Sequence, residues 1–100
     1  MATKLSREQF MEYSRIADEA REFMKKHQFA QALVAIDQAL RLYPDSSSAW
    51  YDRGDILDEL GRYVEACEAY ERSIQITPNF YPAKSNLERL MRRHNIKRRQ

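Results

Sequence analysis

The side chains most able to do chemistry fall in the middle of the chain. Asp52, Asp55, Asp58 and Glu59 recur at three- and four-residue spacing, which puts them on one face of a helix. Paired carboxylates can act as general acid and base where burial or a neighbour drives their pKa values apart. Nothing in this stretch suggests a water-excluded pocket, so the group reads as an exposed acidic stripe. Cys67 is the one cysteine. It permits no internal disulfide, and His27 and His94 are too few to complete a zinc site. It falls on the buried side of a helix, where a thiol serves as a small hydrophobe. His27 reads as a turn residue, and His94 as an ordinary surface histidine in a last helical turn, where a cation suits the dipole. Gly54 and Gly61 stand alone, with no glycine-rich loop to cradle a phosphate. No catalytic residue, metal site or cofactor is expected, and the chain does not read as an enzyme.

A second charged feature closes the sequence, where Arg92, Arg93, Lys97, Arg98 and Arg99 lie within eight positions. Such a run can bind nucleic acid, an anionic membrane or an acidic protein surface. No aromatic is interleaved for base stacking, so sequence-specific nucleic-acid recognition is not expected. The plainer reading is a helix end whose cations complement the dipole and keep the open edge soluble.

The elements that position these groups follow from composition and periodicity. One hundred residues supply one small core. Hydrophobic residues are 43% and charged residues 32%, enough to fold with wide solvated faces. Two glycines and three prolines are too few for the hairpins of a sandwich or barrel, which leaves helices. No run approaches the roughly 18 apolar residues of a membrane span, and the N-terminus lacks a signal pattern, so a cytoplasmic location is expected. The net charge of +2 hides segregation: residues 1–46 are neutral, residues 47–80 carry −4 and residues 81–100 carry +6.

Sliding the chain by 34 residues pairs Ile16 with Trp50, Ala20 with Gly54, Phe23 with Leu57, Phe29 with Tyr63, Ala32 with Ala66 and Pro44 with Pro78. Side-chain size and polarity agree more than identity does, as a packed structural repeat demands. Within each unit, apolar residues recur at three and four, giving two amphipathic helices. Ser6 with Gln9 forms a capping box, so the first helix starts there and runs to about Lys26. His27 and Gly61 make the turns inside each unit, Pro44 and Pro78 end the second helices, and residues 46–48 offer a cap for the third helix. A fifth helix starts near Pro82 and runs to about His94. The fold class is all-α, five helices in stacked antiparallel hairpins. A single domain spans residues 1–94, with repeats at 13–46 and 47–80, a cap at 81–94 and a basic tail at 95–100.

Trp50, Gly54, Leu57, Gly61, Tyr63, Ala66, Ala69, Tyr70 and Pro78 resemble the tetratricopeptide repeat at its own offsets; the first unit departs at Ile16 and Ala20. The resemblance implies an α-solenoid whose first helices line a concave groove, and a non-enzymatic adaptor that binds a partner's peptide or helix there. By the same resemblance the groove-facing positions include Asp18, Arg21, Tyr51, Asp52, Asp55, Asp58, Asn86 and Arg89. Small residues at Ala20, Gly54, Ala32 and Ala66 would let backbones approach, with Trp50, Tyr63 and Tyr70 filling the wedges. One branch of the family grips chaperone C-terminal peptides with a two-carboxylate clamp, and its places hold Ala17, Arg21, Asp52, Pro82 and Asn86 here. Two of the clamp's cations are missing and Asp52 would repel a carboxylate, so that ligand is not expected and a partner of basic character fits the stripe better. Two alternatives remain: a self-assembling repeat module, its acidic stripe and basic tail giving weak head-to-tail association, and weak polyanion binding through the tail.

Overall fold

Ser6 opens the first helix as its spacing from Gln9 predicts. In the computed structural model of the chain, which describes residues 4–97, Ser6 Oγ accepts from the Gln9 N–H at 3.1 Å, and Gln9 Oε1 accepts from the Ser6 N–H at 2.8 Å. Five helices follow: α1 (Arg7–Lys25), α2 (Phe29–Leu42), α3 (Ser47–Glu59), α4 (Tyr63–Ile76) and α5 (Tyr81–Arg93). Each packs chiefly on its neighbours in the chain, which makes an α-solenoid slab of 42 × 34 × 18 Å.

The joints inside the repeats share one backbone device. His27 and Gly61 have φ of 60° and 77°, and the residue after each sends its N–H five positions back: Gln28 to the Phe23 carbonyl at 2.8 Å and Arg62 to the Leu57 carbonyl at 2.9 Å. This is the Schellman ending, which satisfies carbonyls a helix would otherwise leave bare. It also occurs at a third place that the sequence reading passed over. Asn95 has φ of 53°, and the Ile96 N–H reaches the Met91 carbonyl at 2.8 Å. The three left-handed residues stand 34 apart, so α5 repeats α1 and α3 down to its final turn.

Alanines floor the core. Ala17, Ala20, Ala32, Ala39, Ala49, Ala66, Ala69 and Ala83 are essentially inaccessible, and Leu33 and Trp50 bridge the two halves of the interior. Cys67 is buried among them with its thiol pushed up by burial, as suits a small hydrophobe. Hydroxyls lock the N-terminus of α3 into this frame. Ser46 Oγ accepts from the Ala49 N–H at 3.1 Å and pairs with the Tyr13 hydroxyl at 2.5 Å; Ser73 Oγ donates to the Ser47 carbonyl at 2.8 Å.

Two readings need correction. Gly54 does not serve a bare backbone approach. A Cβ there would lie 2.5 Å from Cε1 and 2.6 Å from Cδ1 of Tyr70, so the glycine makes room for that fully buried ring. His94 is no ordinary surface histidine either, since its ring stacks on Tyr63 with centroids 3.6 Å apart.

Both ends of the array are wet. Where α3 buries Ala49 and Ile56 against α2, the positions 34 earlier on α1 are Arg15 and Glu22, both exposed. Lys84 and Glu88 likewise face solvent on α5 at the places of Trp50 and Gly54. Polar end faces of this kind are what a short stack of repeats needs for solubility. Exposed apolar groups remain at Phe10 and Met11, on the first turns of α1.

Gly54→Ala should cost about 1–3 kcal/mol by overpacking, read as a lower midpoint in urea. In a Tyr70→Leu background the same change should cost much less. Equal penalties in both backgrounds would mean that the ring is not what the added methyl meets.

Candidate functional site

The first helix of each unit contributes to one long face, and its polar side chains meet across it. From α1, Arg21 reaches α3. Its Nε donates to Asp52 Oδ2 at 3.0 Å, Nη1 donates to Asp18 Oδ1 at 2.9 Å, and Nη2 comes 3.4 Å from Ser48 Oγ. Asp52 is 8% exposed. Burial pushes its carboxyl above the usual range, and the Arg21 guanidinium opposes that shift without cancelling it.

At the junction of α3, α4 and α5 a second cluster forms around Asp55. The Tyr70 hydroxyl donates to Asp55 Oδ1, and Asn86 Nδ2 donates to the same oxygen at 3.1 Å while lying 3.3 Å from the Tyr51 hydroxyl and 3.4 Å from that of Tyr70. A carboxylate only accepts, so the amide must turn its NH2 inward and its carbonyl oxygen away. Burial raises Asp55 and Tyr70 alike, and it raises Tyr51 with the Asp55 charge adding to the effect. Tyr51 is half-buried, its ring 5.8 Å from Tyr70 and edge-on to Phe80 at 5.3 Å. At the far end, Arg89 Nη2 approaches Asp58 Oδ2 at 3.8 Å.

The face therefore holds Asp18, Arg21, Tyr51, Asp52, Asp55, Asp58, Asn86 and Arg89, but the acidic stripe is not free. Asp52 is paired to Arg21, Asp55 is held by Tyr70 and Asn86, and Asp58 lies beside Arg89. The field that a partner of basic character would feel is reduced at Asp52 and Asp58, which have cations beside them, while Asp55 is held by uncharged donors and Glu59 is exposed. Of the basic tail, Arg92, Arg93 and Lys97 are exposed, while Arg98 and Arg99 lie outside the described residues. Tyr70, from the outer helix layer, was not read as a site residue. The signal was present: it is the large ring 34 positions after Ile36, in the unit where glycine replaces Ala20.

Stacked helix pairs carrying a lined face define a helical-repeat interaction module. The chain matches the tetratricopeptide repeat family over residues 17–79, and it belongs to that family. It is 41% identical over 54 residues to Protein O-mannosyl-transferase TMTC1 of Homo sapiens, covering 54% of this chain and 6% of that protein. It is 34% identical over 65 residues to the Peroxisomal targeting signal receptor of Saccharomyces cerevisiae, covering 65% of this chain and 11% of that one. The chain thus spans a small fraction of the curated relatives it matches. Among solved structures it resembles the first TPR of Spaghetti (RPAP3) bound to HSP90 peptide SRMEEVD, with a TM-score of 0.80 and 23% identity over 83% of this chain and 66% of that one. The exclusion of a chaperone C-terminal peptide does not stand beside that complex. One of its two physical grounds fails as well, since Asp52 was taken as a bare repelling charge and is paired with Arg21. Among the described residues no helix is long and apolar enough to cross a membrane.

Asp55 gives a pH test. Folding raises its pKa, so the folded chain holds the proton more tightly, and the stability this contributes is present at low pH and lost as pH climbs through the raised value. Asp55→Asn keeps an acceptor for Tyr70 and Asn86 but cannot ionise. Its stability relative to the wild type should improve from about pH 4 to about pH 7 in urea unfolding. A flat or opposite difference would show that Asp55 ionises at least as easily in the fold as in the unfolded chain.

Proposed function

We propose that this domain is a non-enzymatic adaptor that binds a peptide segment of a partner protein along the face formed by α1, α3 and α5. The observation that carries the reading is the cluster around Asp55. It fixes Asn86 with its carbonyl oxygen turned out beside the half-buried ring of Tyr51, and no donor among the described residues bonds to that oxygen. A peptide N–H satisfies such an acceptor, and an amphipathic tyrosine supplies contact area at small entropic cost. The groups are held in place before a ligand arrives, which reduces the ordering cost of binding. Arg21, Asp18 and Ser48 present further donors and acceptors to the same strand of ligand. The HSP90 peptide held by the Spaghetti (RPAP3) domain supports a peptide as the class of ligand.

Selection from a random peptide display library on the intact domain tests this. Amide shifts of the wild-type protein, followed by NMR during titration of a selected peptide, should move on α1, α3 and α5. Asn86→Ala and Tyr51→Ala should each weaken that peptide by roughly tenfold. Shifts confined to α2 and α4, or full affinity in both variants, would overturn the reading.

A further inference from the structure

Cations crowd one corner of the slab, where α5 ends. Arg89, Arg92 and Arg93 surround a shallow open hollow, and all three are exposed. At roughly 3.6 residues per turn they fan over about 100° of the helix surface, from the side of Asn86 round to the open end of the array. Asp58 answers part of the Arg89 charge from 3.8 Å. Among the described residues, no carboxylate lies within ion-pair distance of Arg92 or Arg93. Lys97 stands apart from them, because the Asn95 turn carries it to the α4 side, where it lines a small hollow with Glu68 and Glu71. Like charges gathered with so little opposite charge repel one another, and a dense anion relieves that repulsion.

We propose that this corner binds the phosphate backbone of double-stranded nucleic acid without reading its bases. It shares only Arg89 with the groove face, and neither reading depends on the other. Charge density selects the ligand. A duplex carries one phosphate charge per roughly 1.7 Å of its axis, so the stretch of about 6 Å from Arg89 to Arg93 faces about three or four of them. An extended peptide turns a side chain to the same face only every 6.6 Å or so, which gives those arginines about two carboxylates. Arginine's forked donors suit phosphate oxygens, and they fix orientation as well as attraction. Bases are not read, because no free ring stands beside the arginines. His94 is stacked on Tyr63 with centroids 3.6 Å apart, and Tyr81 lies at the opposite end of α5. A single strand gains by stacking its bases on aromatic side chains, so here it has no advantage over a duplex. An anionic bilayer is served less well. It rewards apolar groups inserted beside the cations, and Leu90, Met91 and Ile96 at this corner pack against the core.

The test is binding of the intact chain to a fluorescent, mixed-sequence DNA duplex of about 20 base pairs, followed by anisotropy through a salt series. The logarithm of the affinity should fall with the logarithm of salt at a slope between about −2 and −4. Arg92→Gln with Arg93→Gln should make that slope shallower by about two and weaken binding at low salt by about tenfold. Lys26→Gln with Arg41→Gln removes the same net charge elsewhere, from two exposed positions on α1 and α2, and should leave the slope in place. Equal losses in the two double variants would show that overall charge, not this corner, draws the duplex. That result, or an absence of binding at low salt, would overturn the proposal. Tighter capture by the single strand of the same sequence, by vesicles containing phosphatidylserine or by poly-glutamate would overturn it too, and would assign the corner to bases, a bilayer or an acidic chain respectively.

Discussion

Two objects cannot occupy the space above residue 54, and the arrangement of the second repeat follows from which one does. The Tyr70 ring takes it. Because the side chain at 54 is a hydrogen atom, the phenol passes from the outer helix through the seam between α3 and α4, and its hydroxyl emerges at Asp55. Asp55 in turn fixes Asn86 on α5. A packing rule, that interiors tolerate no overlap, thereby becomes a rule about which hydrogen-bonding atoms face a ligand. The first repeat has Ala20 and Ile36 at these positions and builds nothing of the kind. It reaches the groove instead through Arg21, a flexible cation rather than a wedged ring.

Much of this was written in residue spacing. The 34-residue offset, the Ser6 capping box, the two prolines and the inward alanines were enough to place five helices within a residue or two of where they lie. Those features are local or periodic, and their physics acts within a few turns of chain. The charges were harder. Asp52, Asp55 and Asp58 look identical in a sequence, yet one is salt-bridged to α1, one hydrogen-bonded to α4 and α5, and one shielded by α5. Their partners stand 15 to 31 positions away, and no helical period connects them. A count of charge by segment recorded an acidic middle without showing that Asp52 and Asp58 are each answered by an arginine from another helix. The Asn95 turn was missed for another reason: asparagine is only one of several residues that accept a left-handed backbone, so it marks a turn less plainly than Gly61 does.

Stability and binding are entangled in such a face. A buried carboxylate is costly unless paired, and each pairing here ties one repeat to the next. A ligand that borrows Arg21 or Arg89 draws on the same bonds that align the helices. The exposed ion pairs within α1, such as Arg15 with Glu12 and Glu19, are in a different position, being local and of little energetic weight.

The thinness of the slab gives these inner contacts a mechanical role. A plate 18 Å thick and 42 Å long bends more readily than it stretches, and its two sides behave differently when it does. Away from the groove the repeats are tied as well, since Arg53 Nε on α3 donates to Asp37 Oδ1 on α2 at 2.7 Å. On the inner side Arg21 with Asp52 and Arg89 with Asp58 act as short struts between successive first helices, so flattening the curve must lengthen them. The rest shape of the plate is then set by electrostatic springs on both sides of the slab, and its stiffness depends on the ionic strength of the surrounding solution.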